Sequence, residues 1–282
     1  MFERTLGAAV GVRRPRYAGL AALETGHEDA PVALLVHGFT GSKEDFLGVL
    51  GPLAADGFRV VAVDLPGQYE SPAPDHPDGY AVATLGRELR QVIGELGAAP
   101  VHLVGHSFGG LVTREVLITE PAVVASLTLL SSGPAAIPGA RAVALNAMRP
   151  VLDRGGLPAV WAAMRAADPT PYPPEVVDFM ERRFFASSAV GLKAIGEQLL
   201  VEPDRVEELA ATAAAADIPL LVAHGDGDDA WSPGIQAEMA VRLGARYEVI
   251  PGAQHSPAWQ NPAATAAILE SFWRAAAART AA

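Results

Sequence analysis

Residues 101–110 read Val101-His102-Leu103-Val104-Gly105-His106-Ser107-Phe108-Gly109-Gly110, a short apolar run that ends in a serine with glycines on both sides. A stretch with helical patterning, 109–120, follows directly. A serine on so sharp a strand-to-helix turn has its hydroxyl pushed into the open above the edge of a sheet. Glycines flank it because side chains there would collide with the adjoining strand and helix. G-x-S-x-G alone is a weak signal, and the strand before it and the helix after it make it informative. The stretch therefore predicts a buried strand, a tight turn and an exposed nucleophile, Ser107.

Working outward, similar apolar runs recur at 32–36 (VALLV), 59–65 (RVVAVDL), 125–131 (ASLTLLS), 218–223 (IPLLVA) and 247–251 (YEVIP). The Val-rich runs lack polar alternation, as strands buried on both faces of a parallel sheet do. Between the second and the serine-bearing strand, Val82, Leu85, Leu89, Val92 and Leu96 form the apolar stripe of an amphipathic helix within 79–97. Further helical stretches begin near Gly109, Pro233 and Asn261. Strand and helix alternate, which predicts a doubly wound α/β sheet. One segment breaks the rhythm. Residues 134–208 contain no strand-like run but carry Pro138, Pro150, Pro158 and the cluster DPTPYPP at 168–174. They read as several helices joined by stiff turns and inserted between two strands. The expected organisation is thus a body made of 1–133 and 209–282 with an inserted helical segment at 134–208. No repeat or low-complexity linker divides the chain further.

The composition narrows the function. The chain has 282 residues, 50% hydrophobic and 19% charged, enough apolar material for one sizeable core. Its 21 Lys and Arg face 32 Asp and Glu, a net charge of -11, and no stretch gathers basic residues into a footprint for phosphates. On that ground neither nucleic acid nor an anionic membrane surface is expected as a partner. With no Cys, disulfides, thiolate catalysis and Cys-ligated metals are excluded too. The N-terminal MFERTLGAAVGVRRPRYAGL places Arg13, Arg14 and Arg16 after a small-residue stretch, the reverse of an export signal, so a cytoplasmic location is expected. No window approaches the roughly eighteen apolar residues of a spanning helix. The densest run, 209–223, is interrupted by Asp217 and Pro219, and the Ala-rich tail 274–282 reads as a frayed last helix.

A serine hydroxyl is a poor nucleophile near neutral pH, so a base must take its proton and a carboxylate must hold that base in one tautomer. Of the seven His residues, His27, His37, His76 and His106 lie in loops or beside strand ends and His102 lies early in a strand, so these five read as structural, and His224 ends a strand. His255 sits in PGAQHSP, between the last strand and the last helix, and the chain order Ser, acid, His selects it. The acid lies in Gly225-Asp226-Gly227-Asp228-Asp229, after the strand 218–223. The G-x-x-D spacing favours Asp228, with Asp229 next and Asp226 behind; the unused acids serve as a solvated turn or helix cap. The oxyanion formed by attack on a carbonyl needs pre-aimed N–H donors. Phe108, at the start of the helix, supplies one; Phe39, in the turn His37-Gly38-Phe39-Thr40 after the first buried strand, supplies the other.

The loops HGFTGS (37–42), VDLPGQYES (63–71), GHSFGG (105–110), HGDGDDAWSP (224–233) and PGAQHSP (251–257) occur in an order that resembles the α/β-hydrolase family over nearly the full chain. The resemblance implies a mostly parallel eight-stranded sheet and makes 134–208 a helical cap over the active site. Apolar cap residues Trp161, Met164, Tyr172, Phe179, Met180, Phe184 and Phe185 then become candidate pocket lining, with His37, Trp161, Met164 and Phe184 as the substrate-pocket expectation. Two departures stand out: Tyr69 occupies a place where many relatives carry a second glycine, and the acid loop holds a doubled Asp with an extra residue before Pro233. The implied activity is hydrolysis of a carboxylic ester, lactone or similar acyl compound through an acyl-serine, without metal or organic cofactor. Alternatives on the same triad are carbon-carbon bond hydrolases, perhydrolases, acyltransferases, lyases and cyclising enzymes, and a ligand-binding protein of this fold with little turnover. The expected partner is a small apolar or amphipathic acyl substrate, and the expected assembly a monomer or a homodimer through the cap.

Overall fold

Eight strands form one sheet: β1 (Arg16–Tyr17), β2 (Leu20–Thr25), β3 (Val32–Val36), β4 (Arg59–Val63), β5 (Val101–His106), β6 (Val124–Leu130), β7 (Leu220–Gly225) and β8 (Arg246–Ile250). Their order is β1-β2-β4-β3-β5-β6-β7-β8. From β4 to β8 every pair is parallel, while β2 runs antiparallel to both β1 and β4. The structure, a computed structural model, describes residues 11–168 and 170–280. The start of the leader reading (1–10) and the end of the Ala-rich tail (281 and 282) lie outside the described residues.

The unbroken apolar runs follow from having helices on both faces. Val32, Leu34 and Val36 of β3 point into one core, with Val61, Val63 and Leu103, whereas Ala33 and Leu35 point into the other, with Val60, Ala62 and Val104. With a period of two on a doubly covered sheet, every position of β3 therefore faces one core or the other. The first core is closed by helices α2 (Val82–Leu96) and α3 (Phe108–Thr119), and the second by α1 (Leu47–Ala55) and the last long helix, α10 (Pro262–Thr280), through Leu269, Phe272 and Trp273. The stripe read from the sequence is the buried face of α2: Val82, Leu85, Leu89, Val92 and Leu96 are all buried.

Between β6 and β7 the chain leaves the body in α4 (Gly139–Ala167), α5 (Pro174–Ala186) and α6 (Ala189–Val201). Pro150 and Pro158 both lie inside α4, and the break falls at Gly156, whose φ of 63° and ψ of -164° divide it into two helical arms. Proline is thus not the punctuation expected there: the glycine makes the bend and Pro158 stands in the first turn of the second arm, where its missing N–H costs nothing. The expected boundary at 208 is also corrected. It falls within α7 (Val206–Ala215), which packs on α3 and on α8 (Pro233–Leu243) and contributes Val206, Leu209 and Ala213 to the main core. A short α9 (Pro257–Gln260) precedes α10.

The excursion has a narrow neck. The Ala136 N–H donates to the Glu202 carbonyl and that of Ile137 to the Leu199 carbonyl, both at 2.8 Å, so the outgoing and returning strands of chain are bonded to each other. Arg114 of α3, buried, donates to the Pro134 carbonyl at 2.6 Å and to the Glu202 carboxylate at 2.8 Å, clamping both sides of the neck to the body. Among the described residues no single helix is long and apolar enough to cross a membrane.

Candidate active site

The turn at the end of β5 is built as its residues require. Ser107 has φ 54° and ψ -120°, a conformation that costs a non-glycine residue on the order of 1–3 kcal/mol and persists only when its surroundings impose it. They do so by close approach. A Cβ on Gly109 would lie 2.5 Å from the Val36 and His37 carbonyls of the neighbouring strand, and one on Gly110 would lie 2.5 Å from Ser132 Cβ. One on Gly105 would lie 2.5 Å from the Gly110 Cα. Glycine at these positions brings α3 tightly against β3 and β6 and leaves the serine at the sheet's carboxyl edge.

There, three side chains from three loops meet. His255 Nε2 lies 3.0 Å from Ser107 Oγ, and His255 Nδ1 lies 2.9 Å from Asp228 Oδ1. Since an ionised carboxylate only accepts, the Nδ1–H donates to Asp228 and leaves Nε2 bare toward the serine, the tautomer a base requires. The Asp228 side chain is fully buried. Burial opposes its ionisation, but bonds from His255, the Ala230 N–H (3.0 Å) and Gln236 Nε2 (3.0 Å) outweigh that and hold the carboxyl below the usual range. Gln236, fixed also by the Trp231 carbonyl at 2.7 Å, was not singled out in the sequence. Only its position one helical turn into α8, facing back over the acid loop, could have suggested it.

The doubled aspartate resolves into separate jobs. Asp229 is 63% exposed and pairs with Arg141 at 2.8 Å, away from His255. Asp226 accepts the Gly252 N–H at 2.9 Å, and the Gly227 N–H donates to the Ala253 carbonyl at 3.0 Å, tying the acid loop to the histidine loop. A third tie is His106, whose Nε2 lies 2.7 Å from the His255 carbonyl; a carbonyl only accepts, so Nε2 carries the proton. Burial first, and the nearby His255 second, push His106 down to about 4, so it stays neutral and holds the main chain of the His255 loop.

On the opposite side of Ser107, the loop after β3 comes so close that a Cβ on Gly38 would sit 2.8 Å from Ser107 Cβ. Among the described residues the Phe39 N–H has no partner, and Phe108 is the first residue of α3, whose N–H the helix itself does not use. The expectation that His37 lines a pocket is corrected. His37 is fully buried, its Nε2 accepts the Leu65 N–H at 3.0 Å and its Nδ1 donates to the Gly38 carbonyl at 2.8 Å, so both nitrogens are spent on the main chain. Burial pushes it down to about 4.

Of the cap residues, Trp161 and Met164 join Phe39 and Met148 around the buried Leu152, Val160, Phe184 and Leu192. Phe184 is inside that cluster, Phe185 is 40% exposed, Tyr172 lies against Arg165, and Phe179 meets Tyr69 edge-on at 5.8 Å. Tyr69 has φ 44°, which explains why glycine suits this place in the loop. Its N–H donates to Ser187 Oγ at 3.0 Å, so the tyrosine is a docking point for α5. An ion pair between Arg183 and Asp45 is a second one.

A doubly wound sheet with a serine on a strained turn, a histidine and a buried aspartate at its carboxyl edge, and a helical excursion above them defines a class of protein. The model of the alpha/beta hydrolase family matches residues 33–268, and the chain belongs to that family. It is 39% identical over 107 residues to a protein of Variovorax paradoxus named as a carbamate hydrolase, covering 38% of this chain and 40% of the relative. To a fluoroacetate dehalogenase of a Burkholderia species it is 30% identical over 182 residues, covering 63% of this chain and 56% of that one. The chain thus spans about half or less of these relatives' own lengths. A carboxylesterase structure from Nitrososphaera gargenis superposes with a TM-score of 0.78 at 18% identity, over 95% of this chain and 99% of the other, a likeness of fold.

Proposed function

We propose that this protein is a serine hydrolase that cleaves a carboxylic ester, lactone or similarly activated acyl compound through an acyl-serine. The observation that carries the reading is the continuous relay from Ser107 Oγ to His255 to Asp228, at 3.0 and 2.9 Å, on a backbone turn strained to hold it. His255 Nε2 takes the Ser107 proton as Oγ attacks the carbonyl carbon. Asp228 stays ionised and stabilises the imidazolium that forms. The Phe39 and Phe108 N–H groups bind the oxyanion, and His255 then gives its proton to the leaving alcohol. Water activated by the same histidine opens the acyl-serine and restores the site. No step calls for a metal or an organic cofactor.

The serine also argues against halide or epoxide displacement, despite the dehalogenase among the relatives. Attack of Oγ on a saturated carbon would leave an ether, which has no carbonyl for water to attack, so turnover would stop after one cycle. The acyl route has no such dead end. The apolar cluster around Phe39, Trp161 and Met164 supports a small apolar or amphipathic acyl substrate.

The test is intact-mass labelling with a fluorophosphonate on wild type, Ser107→Ala and His255→Ala, followed by nitrophenyl esters of rising chain length. The expected result is one adduct per chain, lost in both variants, with ester turnover reduced by about four orders of magnitude or more. A folded wild type that neither labels nor turns over ester would overturn the reading in favour of a ligand-binding protein.

A further inference from the structure

α6 carries two glycines in its interior, and only one is demanded by packing. A Cβ on Gly191 would come 2.6 Å from the Tyr80 ring, which blocks any larger residue there. Gly196 is also buried, yet its φ is ordinary and its nearest neighbours are the tips of three side chains: Met148 Cε at 3.7 Å from a built Cβ, Phe39 Cζ at 3.8 Å and Leu145 Cδ2 at 3.9 Å. These are ordinary contact distances, so an alanine would fit. Glycine in a helix interior is a poor helix former beside alanine, and neither backbone nor steric clash explains its presence here.

Its position does. Leu192, one turn earlier on the same face of α6, belongs to the cap cluster, whereas Ile195 and Leu199 belong to the main core. Gly196 therefore sits on the stripe that faces the seam between cap and body. The side chains it meets come from α4 (Leu145, Met148) and from the loop that passes close to Ser107 at Gly38 (Phe39). All three are apolar, and Phe39 and Met148 are themselves only partly buried.

Resting on the serine-hydrolase reading, we propose that Gly196 is a specificity-determining residue: its missing side chain, bordered by Phe39, Leu145 and Met148, sets the length of the apolar substrate arm the site accepts. Each methylene denied burial costs about fourfold in kcat/KM. A leucine at 196 reaches past the Cβ position into the space held by Phe39, Leu145 and Met148 and denies two or three of them.

The experiment compares wild type, Gly196→Leu, Gly196→Ala and Met148→Ala in kcat/KM for nitrophenyl esters from acetate to decanoate, and for acetates of rising alcohol length. Fluorophosphonate labelling and thermal midpoint are measured alongside. The ratio of longest to shortest ester is expected to fall about ten- to hundred-fold in Gly196→Leu and less in Gly196→Ala. It rises in Met148→Ala, while all variants still label. The series in which the ratio moves identifies the arm as acyl or alcohol. Gly196→Ala is expected to melt no lower than wild type, so the inference stays testable if the leucine variant fails to fold. Equal losses at every length, or no change at any, would overturn it. A wild type that does not label removes the hydrolase reading and this inference with it, whereas labelling with a flat length profile removes the inference alone.

Discussion

Replacing Ser107 by glycine is expected to leave a more stable protein than replacing it by alanine, although alanine is the smaller chemical change. Both substitutions delete the hydroxyl and its 3.0 Å bond to His255, so that contribution cancels in the comparison. What differs is the backbone. At φ 54° and ψ -120° an L side chain is strained by roughly 1–3 kcal/mol, and glycine is not. Against this, glycine gives the unfolded chain extra freedom worth about 0.5–1 kcal/mol. The surplus is about 1 kcal/mol in favour of Ser107→Gly, a difference of about 2–4 °C in thermal midpoint for a chain of this size. Thermal and urea unfolding of the two variants, followed by circular dichroism, measure it directly. Equal stability, or a more stable Ser107→Ala, would refute the argument that the turn stores strain.

Asp228→Asn is expected to lower kcat/KM by about four orders of magnitude, because an amide in place of the carboxylate favours the wrong His255 tautomer. Asp229→Asn, which loses only the exposed pair with Arg141, is expected to stay within about threefold of wild type; steady-state ester hydrolysis by the two variants distinguishes them. His37, His102 and His106 are each pushed down to about 4, chiefly by burial. The folded protein resists protons that the unfolded chain accepts near pH 6.5, so stability is complete above that and falls as pH drops toward 4. At pH 5.5 each histidine removes on the order of 1 kcal/mol. Urea midpoints at pH 7.5 and 5.5 read the loss, and His102→Phe, remote from Ser107, is expected to remove roughly a third of it. A flat pH profile would count against neutral burial.

The central strands could be read from sequence because β3 to β7 are covered on both faces, which leaves continuous apolar runs. The first hairpin could not. β2 is LAALET, residues that favour a helix in isolation, and it becomes a strand by pairing with β4, with Glu24 held by Arg59 at 2.7 Å. α1 was hidden for a related reason: Gly48, Gly51 and Pro52 give it little helical propensity, and burial of Val49, Leu50 and Leu53 overrides that. In the site, Ser107 and His255 were legible because local turns announce them, and Asp228 because of its spacing from Gly225. The separate fates of Asp226 and Asp229, and the main-chain bonds of His37 and His106, depend on loops distant in sequence. A pocket role for His37 was wrong because its contact with Leu65 spans 28 residues and leaves no local mark.

The neck between Pro134 and Pro203 gives the molecule a modular seam. Everything proposed to carry out bond cleavage lies outside it: nucleophile and oxyanion donors upstream, acid and base downstream. The outgoing and returning chain are already latched together by Ala136, Ile137 and Arg114 before the first cap helix begins. A change confined to the segment inside the neck would alter what covers the proposed site while leaving the three side chains and their loops in place, provided the new segment also meets Phe39, Tyr69 and Asp45 on the body.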